Sequence, residues 1–213
     1  MKTPRTPSLV VLSAIASLVL AGCSVLGGKQ RDPVTIYAPL VQITPDPAWP
    51  TVGWQLEVAK PTAPRVVDSP RISVRPTPGE LEVYKGATWS QPSTDLVEAT
   101  VLRALEDSGR IPAVARTGSG IRADYKLVMD LRRFESDYAG AAIPSATIEL
   151  SAKLLHASDQ RIVASRTFLR VQPSSGTDVA QVTGAFDQAL GKLGAEVVGW
   201  VLVAGEADAR NKP

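Results

Sequence analysis

The sequence predicts an α+β fold, a single small domain with a mixed or antiparallel sheet packed by two helices. Three observations carry that expectation. Apolar and polar residues alternate over several short stretches, as strands with one buried face require. Two other stretches, 96–105 and 179–200, repeat apolar residues every three or four positions, the period of a helix. Their order along the chain is strands, helix, β-meander, helix, which is the layout of an α+β domain.

The elements follow in turn. Trp54, Leu56 and Val58 alternate with Gln55 and Glu57 and open the globular body, expected over residues 51–205. Ile72 and Val74 alternate with Arg71, Ser73 and Arg75, and Leu81 and Val83 alternate with Glu80, Glu82 and Tyr84. Pro76-Thr77-Pro78-Gly79 supplies the turn between these two strands. A helix comes next, with Ser93 as its cap, Val97, Val101, Ala104 and Leu105 on one face, and Gly109 at its end.

After a short strand near Pro112–Ala115, three stretches alternate. Tyr125, Leu127, Met129 and Leu131 share one face; Ala146, Ile148, Leu150, Ala152 and Leu154 share the next. Val163, Thr167, Leu169 and Val171 make the third, and the link Ala157–Gln160 is short enough for a hairpin. The last helix is the strongest periodic signal: Val182, Phe186, Leu190, Leu193, Val197 and Trp200 form a stripe after Val179 that should lie on the sheet. Residues 206–213 read as a flexible tail.

Composition narrows the function. The chain has 213 residues, 44% hydrophobic, with 23 Lys and Arg against 21 Asp and Glu. Both surplus cations, Lys2 and Arg5, precede residue 23, so the rest of the chain is neutral and offers no electrostatic case for nucleic acid. One histidine and one cysteine leave metal sites and disulfides short of parts, and no cofactor is expected.

The amino terminus carries an address. Lys2 and Arg5 precede an apolar run from Leu9 to Ala21, the pattern of a secretory signal and too short to span a bilayer. It ends in Leu20-Ala21-Gly22-Cys23, which resembles the lipobox of bacterial lipoproteins. That resemblance implies a signal peptide over residues 1–22, cleavage before Cys23, acylation of its thiol, and, with Ser24 following, export to the outer membrane. Residues 23–50 contain Gly27-Gly28, Pro33, Pro39, Pro45 and Pro47 and read as an extended tether. Within it the piece Val34–Pro39 can pair as an edge strand.

Taken together, Cys23, Tyr37-Ala38-Pro39, Pro70–Arg75, Leu81-Glu82-Val83, Trp89, the helix 96–105, the strand 124–134 and the terminal helix 179–203 resemble the ABC-type transport auxiliary lipoproteins. That family includes the paraquat-inducible lipoprotein C. The resemblance implies a fold similar to the amino-terminal domain of TolB. It also implies a non-enzymatic subunit, anchored in the outer membrane through Cys23, that docks on an MCE-domain protein and its permease and ATPase to move lipid between membranes. A ring stacked on an MCE assembly would make it a homo-oligomer. The alternative from another class is a structural lipoprotein scaffold of a secretion or other cell-envelope complex.

Candidate chemistry is sparse. His156 falls at a strand end, and no Gly-x-Ser-x-Gly elbow accompanies it. Gly118-Ser119-Gly120 lacks the lysine of a phosphate loop. The acids Glu106, Asp107, Asp130 and Glu135 read as solvated. Arg71 and Arg75 share the strand face opposite Ile72 and Val74, and Arg65 can add to them. They are either ordinary solvated charge or a basic site for an acidic partner surface or lipid headgroups, since guanidinium binds both bidentately. Trp49, Trp54 and Trp89 are candidate interface anchors, the last two equally candidates for the core.

Overall fold

The computed structural model describes residues 33–211, so the expected signal peptide, Cys23 and the first part of the expected tether lie outside the described residues. The α+β expectation holds: eight strands form one curled mixed sheet, and two helices pack against it. The strands are β1 (Thr35–Tyr37), β2 (Gln55–Val58), β3 (Arg71–Arg75), β4 (Glu82–Trp89), β5 (Ala113–Arg116), β6 (Tyr125–Asp137), β7 (Ser145–His156) and β8 (Ile162–Pro173). The helices are α1 (Ser93–Ser108) and α2 (Val179–Arg210). Among the described residues no helix is long and apolar enough to cross a membrane.

β6 organises the sheet. One of its edges takes β7 antiparallel along its whole length, and β8 adds antiparallel to β7. Its other edge takes two parallel strands in succession, β2 beside Tyr125–Leu127 and β3 beside Glu135–Asp137. Thr62 bridges Asp130 between them. β5 extends the sheet beyond β2, while β4 and then β1 extend it beyond β3.

Two bulges decide which side chains face the helices. In β6 the pairing slips at Arg132, so the inward parity changes from Tyr125, Leu127, Met129 and Leu131 to Phe134 and Ser136. In β8 the pairing slips at Val163. Phe168 then faces inward, fully buried, while Leu169 and Val171 point outward at 50% and 56% exposure. From Thr167 onward the third alternating set read from the sequence is thus the outer face of β8, while Val163, at the bulge, packs against the core.

The core has two aromatic ends. Trp89 of β4, Phe134 of β6 and Phe186 of α2 pack with ring centroids 4.8–5.8 Å apart. At the other end Trp54 meets Tyr125 edge-on at 4.9 Å, and Tyr125 meets His156 at 5.6 Å. Trp54 and Trp89 are therefore core residues. So is Trp49, 8% exposed, which corrects its reading as an interface anchor.

The proline-rich segment is extended, as its composition requires, but from Val34 onward it belongs to the compact unit. β1 pairs parallel with β4, fulfilling the edge-strand expectation. Val41, Ile43 and Trp49 then run along α2, whose glycines receive them. A Cβ at Gly194 would stand 2.6 Å from Ile43 Cδ1, and one at Gly199 would stand 2.6 Å from Trp49 Nε1. The expected tether over 23–50 is, in its described part, a strap seated on the last helix.

Two helix ends also differ from expectation. Pro92 occupies the position before α1, and the Ser93 hydroxyl instead donates to the Val67 carbonyl. Gly109 closes α1 with φ 61°, as expected. α2 continues to Arg210, so residues 206–210 are helix rather than flexible tail. The continuation is tied down, because Asp208 accepts from the Tyr125 hydroxyl at 3.0 Å and from Arg161 at 2.8 Å.

Candidate interaction surface

The outer face of the sheet carries a row of paired charges. At its centre is Glu135, 2% exposed. Arg75, sixty positions away, donates to both of its carboxylate oxygens at 2.9 Å. Arg133 donates to the same carboxylate at 2.7 Å and reaches Asp137 at 2.5 Å. Burial alone would raise the Glu135 carboxyl, but hydrogen bonds from Arg75 and Arg133 hold it below its ordinary value. The reading of Glu135 as a solvated acid is corrected: it is a buried anion with two cations. Arg132, projected by the bulge, completes the row with Asp130 and Glu149, each at 3.3 Å.

This geometry divides the three arginines singled out from the sequence. Arg71 and Arg75 both point to the outer face, as their parity predicts. Arg75 is committed to Glu135, whose hydrogen bond raises its pKa further. Arg71 and Arg65 are exposed, Arg71 at the start of β3 and Arg65 in the loop before it. Arg71 pairs in register with Thr88 of β4, and Thr88 in turn with Ile36 of β1, so these three form one outward-facing row.

His156 has company but no relay. Ser158 Oγ lies 2.9 Å from its Nδ1, and Asp159 Oδ1 lies 3.3 Å from the same nitrogen. A nucleophile and an orienting acid must sit on opposite ring nitrogens for imidazole to pass a proton between them. The cleft beside it is lined by Gln55, Arg122, Asp124 and Ser158. Among the described residues, no three His, Cys, Asp or Glu side chains gather as metal ligands would.

Among the described residues, two groups of neighbouring exposed apolar side chains remain. One is Leu169 and Val171 on β8. The other is Val34, Ile36 and Leu40, at 58%, 66% and 84% exposure, around the strand where the chain enters the fold. The sequence held a signal for the second group, an apolar strand-like piece before the body, but nothing to show that its alternate residues face solvent.

The family model for the ABC-type transport auxiliary lipoprotein component matches residues 35–198. The chain belongs to that family. A crystal structure of a Xanthomonas campestris protein of the DUF330 family is 63% identical to this auxiliary lipoprotein, with a TM-score of 0.82 over 84% of this chain and 100% of that one. Another solved structure, of an uncharacterized protein, shares the fold at 12% identity and a TM-score of 0.60, covering 78% of this chain and 97% of that one. A Bradyrhizobium diazoefficiens protein, also uncharacterized, is 28% identical over 74% of this chain, and the chain spans only 42% of that relative's length. The family's name implies association with an ABC transport system and anchoring in the cell envelope for this auxiliary lipoprotein.

Proposed function

We propose that this auxiliary lipoprotein is an outer-membrane-anchored, non-enzymatic subunit of an intermembrane lipid transport system. Its partner is an MCE-domain protein served by a permease and an ATPase, and it works by docking and tethering. The observation that carries this reading is the strap. Residues 34–54 are bound into the fold, first through β1 against β4 and then along α2, so a lipidated Cys23 would hold the folded unit on a short leash. A module held that close to one membrane is suited to receive an assembly arriving from the other. The charged side chains fit the same role, since they are spent on one another across the sheet rather than gathered around a reacting atom.

The test is co-purification. The full chain, expressed with the MCE-domain protein and extracted in mild detergent, should elute with it; Cys23→Ser should leave the membrane fraction when expressed alone and still elute with the MCE-domain protein when the two are expressed together. A chain that never elutes with the MCE-domain protein, yet co-purifies with a secretion or other envelope complex, supports the scaffold alternative instead.

A further inference from the structure

Three of the exposed large apolar side chains, Val34, Ile36 and Leu40, fall within one short run of chain. That run is also the point where the compact unit begins. Solvent-facing apolar residues scattered singly need no explanation, but a cluster at one place in the fold does. The run is linked to Cys23 by a stretch that extends at most roughly 40 Å, at about 3.3–3.6 Å per residue.

Strand register adds a cation. Ile36 lies beside Thr88 and Thr88 beside Arg71, all on the outer face, while Tyr37 turns inward with Trp89. Lys85, also exposed, stands on β4 two residues before Ala87, the partner of Thr35. Among the described residues no ion pair takes Arg71 or Lys85, whereas Arg75 on the same strand is held by Glu135. Apolar side chains flanked by unpaired cations match the layering of a bilayer surface, with acyl chains beneath phosphates.

We propose that Val34 and Ile36, with Arg71 and Lys85 beside them, form the face by which the folded unit lies on the lipid bilayer. This rests on the anchor at Cys23 assigned above. The anchor supplies residence at the membrane, and this face supplies orientation. The apolar side chains enter the headgroup boundary, and the Arg71 guanidinium binds lipid phosphate through its paired N–H donors. The outer sheet face near β1 then turns toward the bilayer, and the side of α2 that carries exposed Val203 turns away from it.

The test uses the full acylated chain on vesicles of phosphatidylethanolamine and phosphatidylglycerol containing a nitroxide-labelled lipid. Acylation consumes the thiol of Cys23, so a cysteine introduced by Ile36→Cys or Val203→Cys takes a fluorophore alone. We expect the label at position 36 to lose fluorescence to the nitroxide lipid and the label at position 203 to keep it. Adding Val34→Ser and Arg71→Glu to Ile36→Cys should restore fluorescence while the protein still floats with the vesicles. A protein that floats while both labels are equally unquenched overturns the face alone. One that does not float overturns the anchor and the face together. If position 36 is shielded only when the MCE-domain protein is added, the surface belongs to a protein partner and the proposal fails.

Discussion

Gly205 in the last turns of α2 lies so close under the indole of Trp54 that a Cβ there would come within 2.9 Å of three ring atoms. The glycine that weakens the helical pattern is the seat of a core tryptophan. Gly205→Ala should therefore destabilise the fold: overpacking costs roughly 1–3 kcal/mol and exceeds the gain of about 1 kcal/mol in helix propensity. A methyl group at Gly184 of the same helix would meet nothing within 4 Å, so Gly184→Ala should stabilise. Thermal unfolding of the two variants should move in opposite directions, by about 2–4 °C per kcal/mol.

The buried Glu135 gives the second expectation. Glu135→Gln should cost about 2–3 kcal/mol in urea unfolding, toward the lower end for a broken buried pair because Arg75 and Arg133 keep some solvent contact. Its pH dependence has a definite sign. The folded carboxyl titrates below its ordinary value of 4.5, so the stability it contributes is complete above that value and is lost as pH falls through the lower folded one. The wild-type chain should lose stability in acid more steeply than Glu135→Gln.

The carboxyl end should behave as structure. Asp208→Ala removes the acceptor of the Tyr125 hydroxyl and the partner of Arg161, and should cost about 1–2 kcal/mol. A double-mutant cycle with Tyr125→Phe should recover part of that as coupling. Deleting residues 206–213 should lower the midpoint of urea unfolding at least as far, where loss of a loose tail would leave it unchanged.

At the other end, Cys23→Ser should abolish acylation by mass spectrometry and shift the chain from the membrane to the soluble fraction. Several acyl chains, at about 0.8 kcal/mol per buried methylene, make such an anchor effectively permanent, so partial release is not expected.

Much of the fold is legible in the sequence because periodicity reports burial directly. The inward sets of β6 before Arg132 and of β7, and the stripe of α2, follow the pattern of apolar residues without interruption. Legibility fails where one extra residue reverses parity. Arg132 and Val163 are ordinary in type, and only pairing with β7 reveals them as bulges. The strap is hidden for a related reason: prolines announce an extended chain but do not say what it lies against. Its seats on α2 resemble helix weaknesses until Ile43, Trp49 and Trp54 are placed over Gly194, Gly199 and Gly205. Of the candidate site, the outward direction of Arg71 and Arg75 is readable from parity. The capture of Arg75 is not, since the parallel pairing of β3 with β6 sets Glu135 beside Ser73, two residues along the strand and within reach of the guanidinium.

The strap also sets an order of events in folding. Ile43, Trp49 and Trp54, from the start of the compact unit, find their seats only on α2, its last element. Contacts between opposite ends of a chain cannot form until the intervening loop has been threaded and closed. β1 can therefore pair with β4 beforehand, but Ile43, Trp49 and Trp54 gain their cover only when the last helix docks.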